Sequence, residues 1–218
     1  MIPLAAATPG STAAPGGGDA PPAATTVSAA AAAGTTGSTA LVFPGQGAQI
    51  VGMLGPWCDE HASAAALFTR ASDILGYDLA AICRQGPAER LNATSVSQPA
   101  ILVTSLAALE VLKSRDPGLV QAAAITAGLS LGEYTALVFA DALDFESAVR
   151  LVDIRGRAMQ ECAGRRGPDG ATAGGMVAVL GLERERVASL CDECRGGDVL
   201  EVANVLCPGN VVASGSDA

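Results

Sequence analysis

The sequence predicts an α/β chain, on three observations. An apolar strand pattern ends at Pro44-Gly45, and a small-residue run ends at Gly128. Segments with helical spacing lie between and after them. Beyond residue 174 the pattern becomes strand, helix, strand, strand. Half of the 218 residues are hydrophobic, enough to bury a sizeable core. The formal net charge is −9, with only 13 Lys and Arg and no basic block. That argues against a nucleic-acid footprint and against docking on an anionic membrane.

Residues 1–40 are rich in Ala, Thr, Gly and Pro, with Asp19 as their one charge. Such a composition buries too little apolar surface to offset chain entropy, so a disordered tail or transit segment is expected. It lacks the basic start of a secretory signal and the arginines of a typical transit peptide. Ala40 to Phe43 reads as a buried strand entering a loop. Helices are expected over 57–75, stopping at Gly76, and over 100–113. Ala122 to Ala127 is a central strand, followed by helices over 131–140 and 144–163 and a Gly-, Arg- and Pro-rich loop from Gly164 to Gly174. No run of 18 apolar residues is apparent, so no membrane span is expected.

Met176 to Leu180, residues 183–195, Val199 to Ala203 and Val211 to Ser214 then spell β-α-β-β, with the last two strands joined through Pro208-Gly209. This is most of a split ferredoxin-like unit, which would continue with a helix and a fourth strand. The expected organisation is a tail (1–40), a large α/β subdomain (41–172) and a small, partial one (173–218). The six cysteines lie in apolar, helix-like contexts. Cys191-x-x-Cys194 has no second pair or nearby histidine, so incidental thiols are expected and no metal site.

Three motifs carry chemistry. Gly128-Leu129-Ser130-Leu131-Gly132 follows an expected strand and opens an expected helix, the setting of a nucleophile elbow. Glycines two positions either side of the serine leave room for the tight turn, and the helix start aims N–H groups at an oxyanion. An ordinary turn is the alternative. Pro44-Gly45-Gln46-Gly47 can bring backbone close to a ligand and supply a second oxyanion N–H. It can also be a structural turn, and without a Lys-Ser/Thr ending it is no P-loop. Arg155 has Leu151, Val152 and Met159 at helical spacing and no acid at i±3 or i±4. A ligand carboxylate would fit its planar fork, and so would a distant Asp or Glu. Arg157, by contrast, has Asp153 and Glu161 as helical neighbours.

The order LVFPGQGAQ (41–49), SQPAI (97–101), GLSLGEY (128–134), RLVDIRGRAMQ (150–160) and ANVLCPGNVVASG (203–215) resembles malonyl-CoA:acyl carrier protein transacylase. The LCPGN form of the last motif is similar to the plastid enzymes, so a plastid is favoured over mitochondrion or cytoplasm. The resemblance implies an α/β-hydrolase-like large subdomain with a ferredoxin-like small subdomain, incomplete in this chain. It implies Ser130 as the nucleophile, with the backbone N–H groups of Gln46 and Leu131 as the oxyanion hole. Arg155 then holds the malonyl carboxylate, and Asn204 lines the pocket. Gly132, Glu133 and Tyr134 are architectural. The implied partners are malonyl-CoA and holo acyl carrier protein, whose phosphopantetheine thiol receives the acyl group; no further cofactor is implied. Two departures stand out. The family's usual histidine before the serine is Leu129, and its general-base histidine lies further downstream than Ala218. The one histidine, His61, reads as a solvated helix residue. The chain therefore reads as the nucleophile-bearing part of a longer enzyme, with unpaired strand edges and exposed apolar surface. A non-catalytic remnant binding acyl carrier protein and a polyketide-type acyltransferase domain are the alternatives.

Overall fold

The computed structural model describes residues 39–164 and 174–216. The tail expected over 1–40, up to residue 38, and the glycine-rich loop over 165–173 lie outside the described residues. The larger part holds β1 (Thr39–Phe43), helices α1 (Pro56–Asp59), α2 (Ala62–Leu75), α3 (Leu79–Gln85), α4 (Ala88–Asn92), α5 (Thr94–Arg115) and α6 (Pro117–Gln121), then β2 (Ala123–Gly128), α7 (Gly132–Phe139) and α8 (Phe145–Gly164). The smaller part holds β3 (Gly175–Leu180), α9 (Arg184–Cys194), β4 (Leu200–Cys207) and β5 (Asn210–Gly215). The fold is mixed α/β.

β1 and β2 pair in parallel, with Phe43 opposite Gly128. Parallel neighbours need a crossover, and α1 to α6 supply it. β1 starts at Thr39, two residues before the expected large subdomain, because Thr39 and Ala40 already pair with β2. Phe43 is buried and its ring centroid lies 6.2 Å from that of Phe139, which ties the end of β1 to α7. Among the described residues this sheet has only these two strands, and Val42 and Ile125 stand 70% and 63% exposed on it.

The core of the larger part is therefore helical. α5 is its axis: Ile101, Leu102, Val103, Leu106 and Ala107 are all buried. A helix apolar on most sides must be covered on most sides, and α2, α7 and α8 cover it. By length and composition α5 could cross a membrane, but 61% of its most apolar window is buried inside the protein. It is a core helix. α2 lays Ala64, Phe68 and Ala71 against it at helical spacing. Cys83 lies in the same core, and burial pushes its thiol up to about 12. α8 is pinned to α2 at the surface by an Arg70–Glu146 ion pair, with the Arg70 guanidinium 4.7 Å from the Phe145 ring centre.

Three differences from the sequence reading have local causes. The helix expected over 57–75 breaks at Glu60-His61, which separate α1 from α2. α5 begins at Thr94, not at 100, and carries Pro99 inside it. Proline near a helix start removes one hydrogen bond, and burial of Ser97 to Val103 outweighs that loss. α3, α4 and α6 were not anticipated. Two of them are fixed by aspartate caps: Asp78 accepts from the Ala81 N–H at 2.8 Å, and Asp116 from the Leu119 N–H at 2.9 Å.

The smaller part is an antiparallel sheet in the order β3-β5-β4, with α9 on one face. Val187 and Cys191 of α9 meet Val211 and Ala213 of β5 in a small separate core. Cys194, one turn on from Cys191, is exposed. β4 runs to Cys207, past the Ala203 end expected from the sequence. The turn at Pro208-Gly209 is only two residues long, so β5 keeps pairing with β4 as far as Cys207 opposite Asn210.

Candidate active site

The larger part concentrates its polar geometry where β2 gives way to α7. Ser130 stands there, exposed, with φ of +53°. Residues other than glycine rarely adopt this conformation, and it holds the hydroxyl clear of the strand end. The flanking glycines are required by packing. A Cβ on Gly128 would lie 1.9 Å from the Gly132 carbonyl carbon, and one on Gly132 would lie 2.3 Å from the Phe43 carbonyl oxygen. The Leu129 N–H donates to that same Phe43 oxygen at 3.1 Å, fastening the turn to β1.

The Gly45-Gln46-Gly47 loop closes against this turn. Gly45 is buried, and a Cβ on it would sit 2.5 Å from the Leu129 oxygen. The loop is anchored from outside: Gln46 Nε2 donates to Thr94 Oγ1 at 3.3 Å, and Gln49 Nε2 to Asn92 Oδ1 at 3.0 Å. The short helix α4 thus has a task, since Asn92 at its end holds the loop. Leu131 is fully buried and caps the start of α7. Among the described residues no acceptor takes the N–H of Gln46 or Leu131. Unengaged amides of this kind can serve an incoming oxyanion.

Arg155 reaches the serine from α8. Its Nη2 donates to Ser130 Oγ at 2.9 Å and its Nη1 donates to Gln98 Oε1 at 2.8 Å. Its guanidinium lies 5.9 Å from the Tyr134 ring centre. The arginine is half-buried, and no carboxylate among the described residues pairs with it. Arg157 instead pairs with Asp153. The distant-acid alternative for Arg155 is therefore not what the structure contains.

Ser130, Leu131, Gln46 and Arg155 come together around the elbow. Asn204 does not join them: it lies exposed in β4, opposite Val212, next to a register irregularity. Leu129 stands half-exposed beside the nucleophile. His61 sits at the start of α2 with its Nδ1 3.4 Å from Ser114 Oγ. Sequence reasoning missed Asn92, Thr94 and Gln98. Only Gln98 lay within a quoted motif, and nothing in the motif said which helix it would face.

A strained serine thus stands between a parallel strand and a helix, with an arginine on its hydroxyl. The family model for the acyl transferase domain matches residues 40–218. The chain belongs to that family. It is 44% identical over 179 residues to the malonyl CoA-acyl carrier protein transacylase of Haemophilus influenzae, covering 82% of this chain and 55% of that protein. It is 45% identical over 176 residues to the transacylase of Escherichia coli K12, covering 81% and 54%. In structure it is similar to an acyl carrier protein S-malonyltransferase from Vibrio cholerae, with a TM-score of 0.73, 43% identity, and 83% and 56% of the two chains covered. It is also similar to a malonyl-transacylase solved with its type II polyketide acyl carrier protein, with a TM-score of 0.74, 41% identity, and coverage of 83% and 56%. The chain spans about half the length of the curated relatives it matches.

Proposed function

We propose that the protein moves a malonyl group from malonyl-CoA to the phosphopantetheine thiol of holo acyl carrier protein, through a malonyl ester on Ser130. One observation carries this reading: Arg155 Nη2 stands 2.9 Å from Ser130 Oγ. A cation that close to the nucleophile selects an acyl group bearing its own carboxylate, since the guanidinium fork can take both carboxylate oxygens.

The chemistry follows in two steps. Ser130 Oγ adds to the thioester carbonyl, the oxyanion falls to the N–H groups of Gln46 and Leu131, and coenzyme A leaves as its thiol, taking up the serine proton. The carrier thiol then attacks the ester, its proton returns to Ser130 Oγ, and the malonyl thioester leaves on the carrier. Two oxyanion donors lower the barrier by about 3–4 kcal/mol each in comparable sites. Bacterial relatives named malonyl CoA-acyl carrier protein transacylases support the substrate and partner assignment. The LCPGN sequence at 206–210 supports a plastid location on resemblance alone. Uptake of a fluorescent fusion by isolated chloroplasts checks that.

The test is direct. Incubation of the purified protein with labelled malonyl-CoA gives a stable ester on Ser130 that is absent from Ser130→Ala. No label on Ser130 would overturn the reading. A second reading, binding of acyl carrier protein without turnover, is favoured by what touches the serine. Arg155 is a donor and cannot take the Ser130 proton, and His61, at the start of α2, faces Ser114 of α5 instead. In that case the carrier protein is retained on the purified protein while Ser130 stays unlabelled.

A further inference from the structure

Gln98 is fully buried at 0% exposure, yet it is a polar side chain with both ends of its amide in use. Its Oε1 accepts from Arg155 Nη1 at 2.8 Å, and its Nε2 donates to Met159 Sδ at 3.2 Å. Chemistry fixes this orientation. The guanidinium can only donate, so it must meet the amide oxygen; the thioether can only accept, so it must meet the amide nitrogen. Arg155 and Met159 are one helical turn apart on α8, so a single face of that helix holds Gln98 at both ends.

The approach of the two helices makes this possible. A Cβ on Gly156 would lie 2.7 Å from the Thr94 oxygen, so α8 meets the start of α5 backbone to backbone. The Ser95 N–H donates to Gln160 Oε1 at 3.0 Å across the same contact. Gln98, one turn along α5 from Thr94, is thereby brought to Arg155 rather than merely near it.

The partner chosen for the arginine is neutral. Asp153, two positions away, pairs with Arg157. The other groups on the Arg155 guanidinium are the Ser130 hydroxyl and the Tyr134 ring, both uncharged. A cation drawn partly out of water usually finds an anion, and among the described residues the hydrogen bonds of Arg155 go to dipoles that leave its positive charge unanswered. We propose that Gln98 is the positioning residue for Arg155, and that its neutrality reserves the arginine's charge for the carboxylate of an incoming acyl group. This rests on the assignment of Arg155 to that carboxylate. An acid at position 98 would hold the guanidinium in the same place but answer its charge from within, so an anionic acyl group would lose its advantage over a neutral one.

The experiment follows Ser130 ester formation in the full-length protein against malonyl-CoA and acetyl-CoA concentration, for wild type, Gln98→Glu, Gln98→Met and Arg155→Ala. The malonyl-to-acetyl preference is expected to fall about ten-fold in Gln98→Glu, the scale of one charge-assisted hydrogen bond, with the change carried by KM. In Gln98→Met, which frees the arginine but leaves its charge, a loss of about three-fold is expected. A merely structural role would move both substrates alike and leave the ratio unchanged. An unchanged ratio in Gln98→Glu overturns the proposal, and an unchanged ratio in Gln98→Met does so if the glutamate variant fails to fold. Arg155→Ala separates the two claims. If it keeps the preference, the carboxylate assignment is wrong; if it loses the preference while Gln98→Glu keeps it, only the role of Gln98 is wrong.

Discussion

The larger and smaller parts of the molecule solve the same burial problem with different means. In residues 39–164 the sheet is a bare parallel pair, and the order comes from helices wrapped around α5. In residues 174–216 the sheet is the framework, and one helix covers one face of it. Its other face keeps Met176 and Leu180 at 58% and 70% exposure. The candidate site follows the first arrangement. Ser130, Arg155, Gln98 and Gln46 all hang on elements of the helical part, where backbones meet closely enough to fix side chains within hydrogen-bond range. Asn204, on the thinner part, has no such support.

The largest expected effect tests that contrast in packing. Leu102→Ala, at a fully buried position in α5, should destabilise the larger part by about 2–5 kcal/mol. Val187→Ala in the small core should cost only about 1–2 kcal/mol. Chemical denaturation of both variants checks this, and equal losses would break the comparison. Native-state hydrogen exchange should likewise show β3, β4 and β5 opening before α5.

Next in size is a dependence on alkaline pH that belongs to the larger part. The Cys83 thiol is raised from an ordinary 9.0 to about 12 by burial. The unfolded chain therefore releases this proton first, and stability is full below about pH 9 and is lost as pH rises towards 12. The slope from this group is at most about 1.4 kcal/mol per pH unit. Denaturation midpoints measured from pH 8 to 11 check it; Cys83→Ala, corrected for its cavity, should flatten the curve.

Gly156→Ala comes third. Its new methyl meets the Thr94 carbonyl, so a loss of about 1–3 kcal/mol is expected, with the Arg155–Gln98 contact loosened as α8 moves away. A Tm unchanged from wild type would show that the helices can part at no cost. The smallest effect is on the exposed sheet face: Met176→Lys should change stability by no more than about 0.5 kcal/mol while raising solubility. A larger destabilisation would mean that the face is covered in solution.

What the sequence made legible follows from range. Strand β1, the stop of α2 at Gly76 and the long helix α8 show in local periodicity and turn chemistry. The serine turn shows because its glycines stand in a fixed local spacing about the serine; Gly128 meets Gly132 four residues on, although Gly132 itself answers to Phe43 of the distant β1. α3, α4 and α6 escaped because five to seven residues make too few turns to display a helical repeat. α5 was begun too late because proline is read locally as a breaker, whereas its neighbours are held by tertiary burial. Arg155 could be singled out by its missing helical acid, but its partner Gln98 could not. A neutral amide inside an apolar run announces nothing about a helix 57 residues further along the chain.

The parallel pairing of β1 with β2 also sets an order of events during synthesis. The Phe43 carbonyl that receives the Leu129 N–H is made long before its partner, and six helices must be synthesised between the two. Closing so long a loop is entropically costly until the helices within it have packed. The nascent chain should therefore assemble its helices first and dock β2 late, so the serine turn takes shape only after the scaffold that strains it is already in place. A ribosome-stalled series ending on either side of residue 139 would show protease resistance of α2 and α5 arising before protection at Ser130.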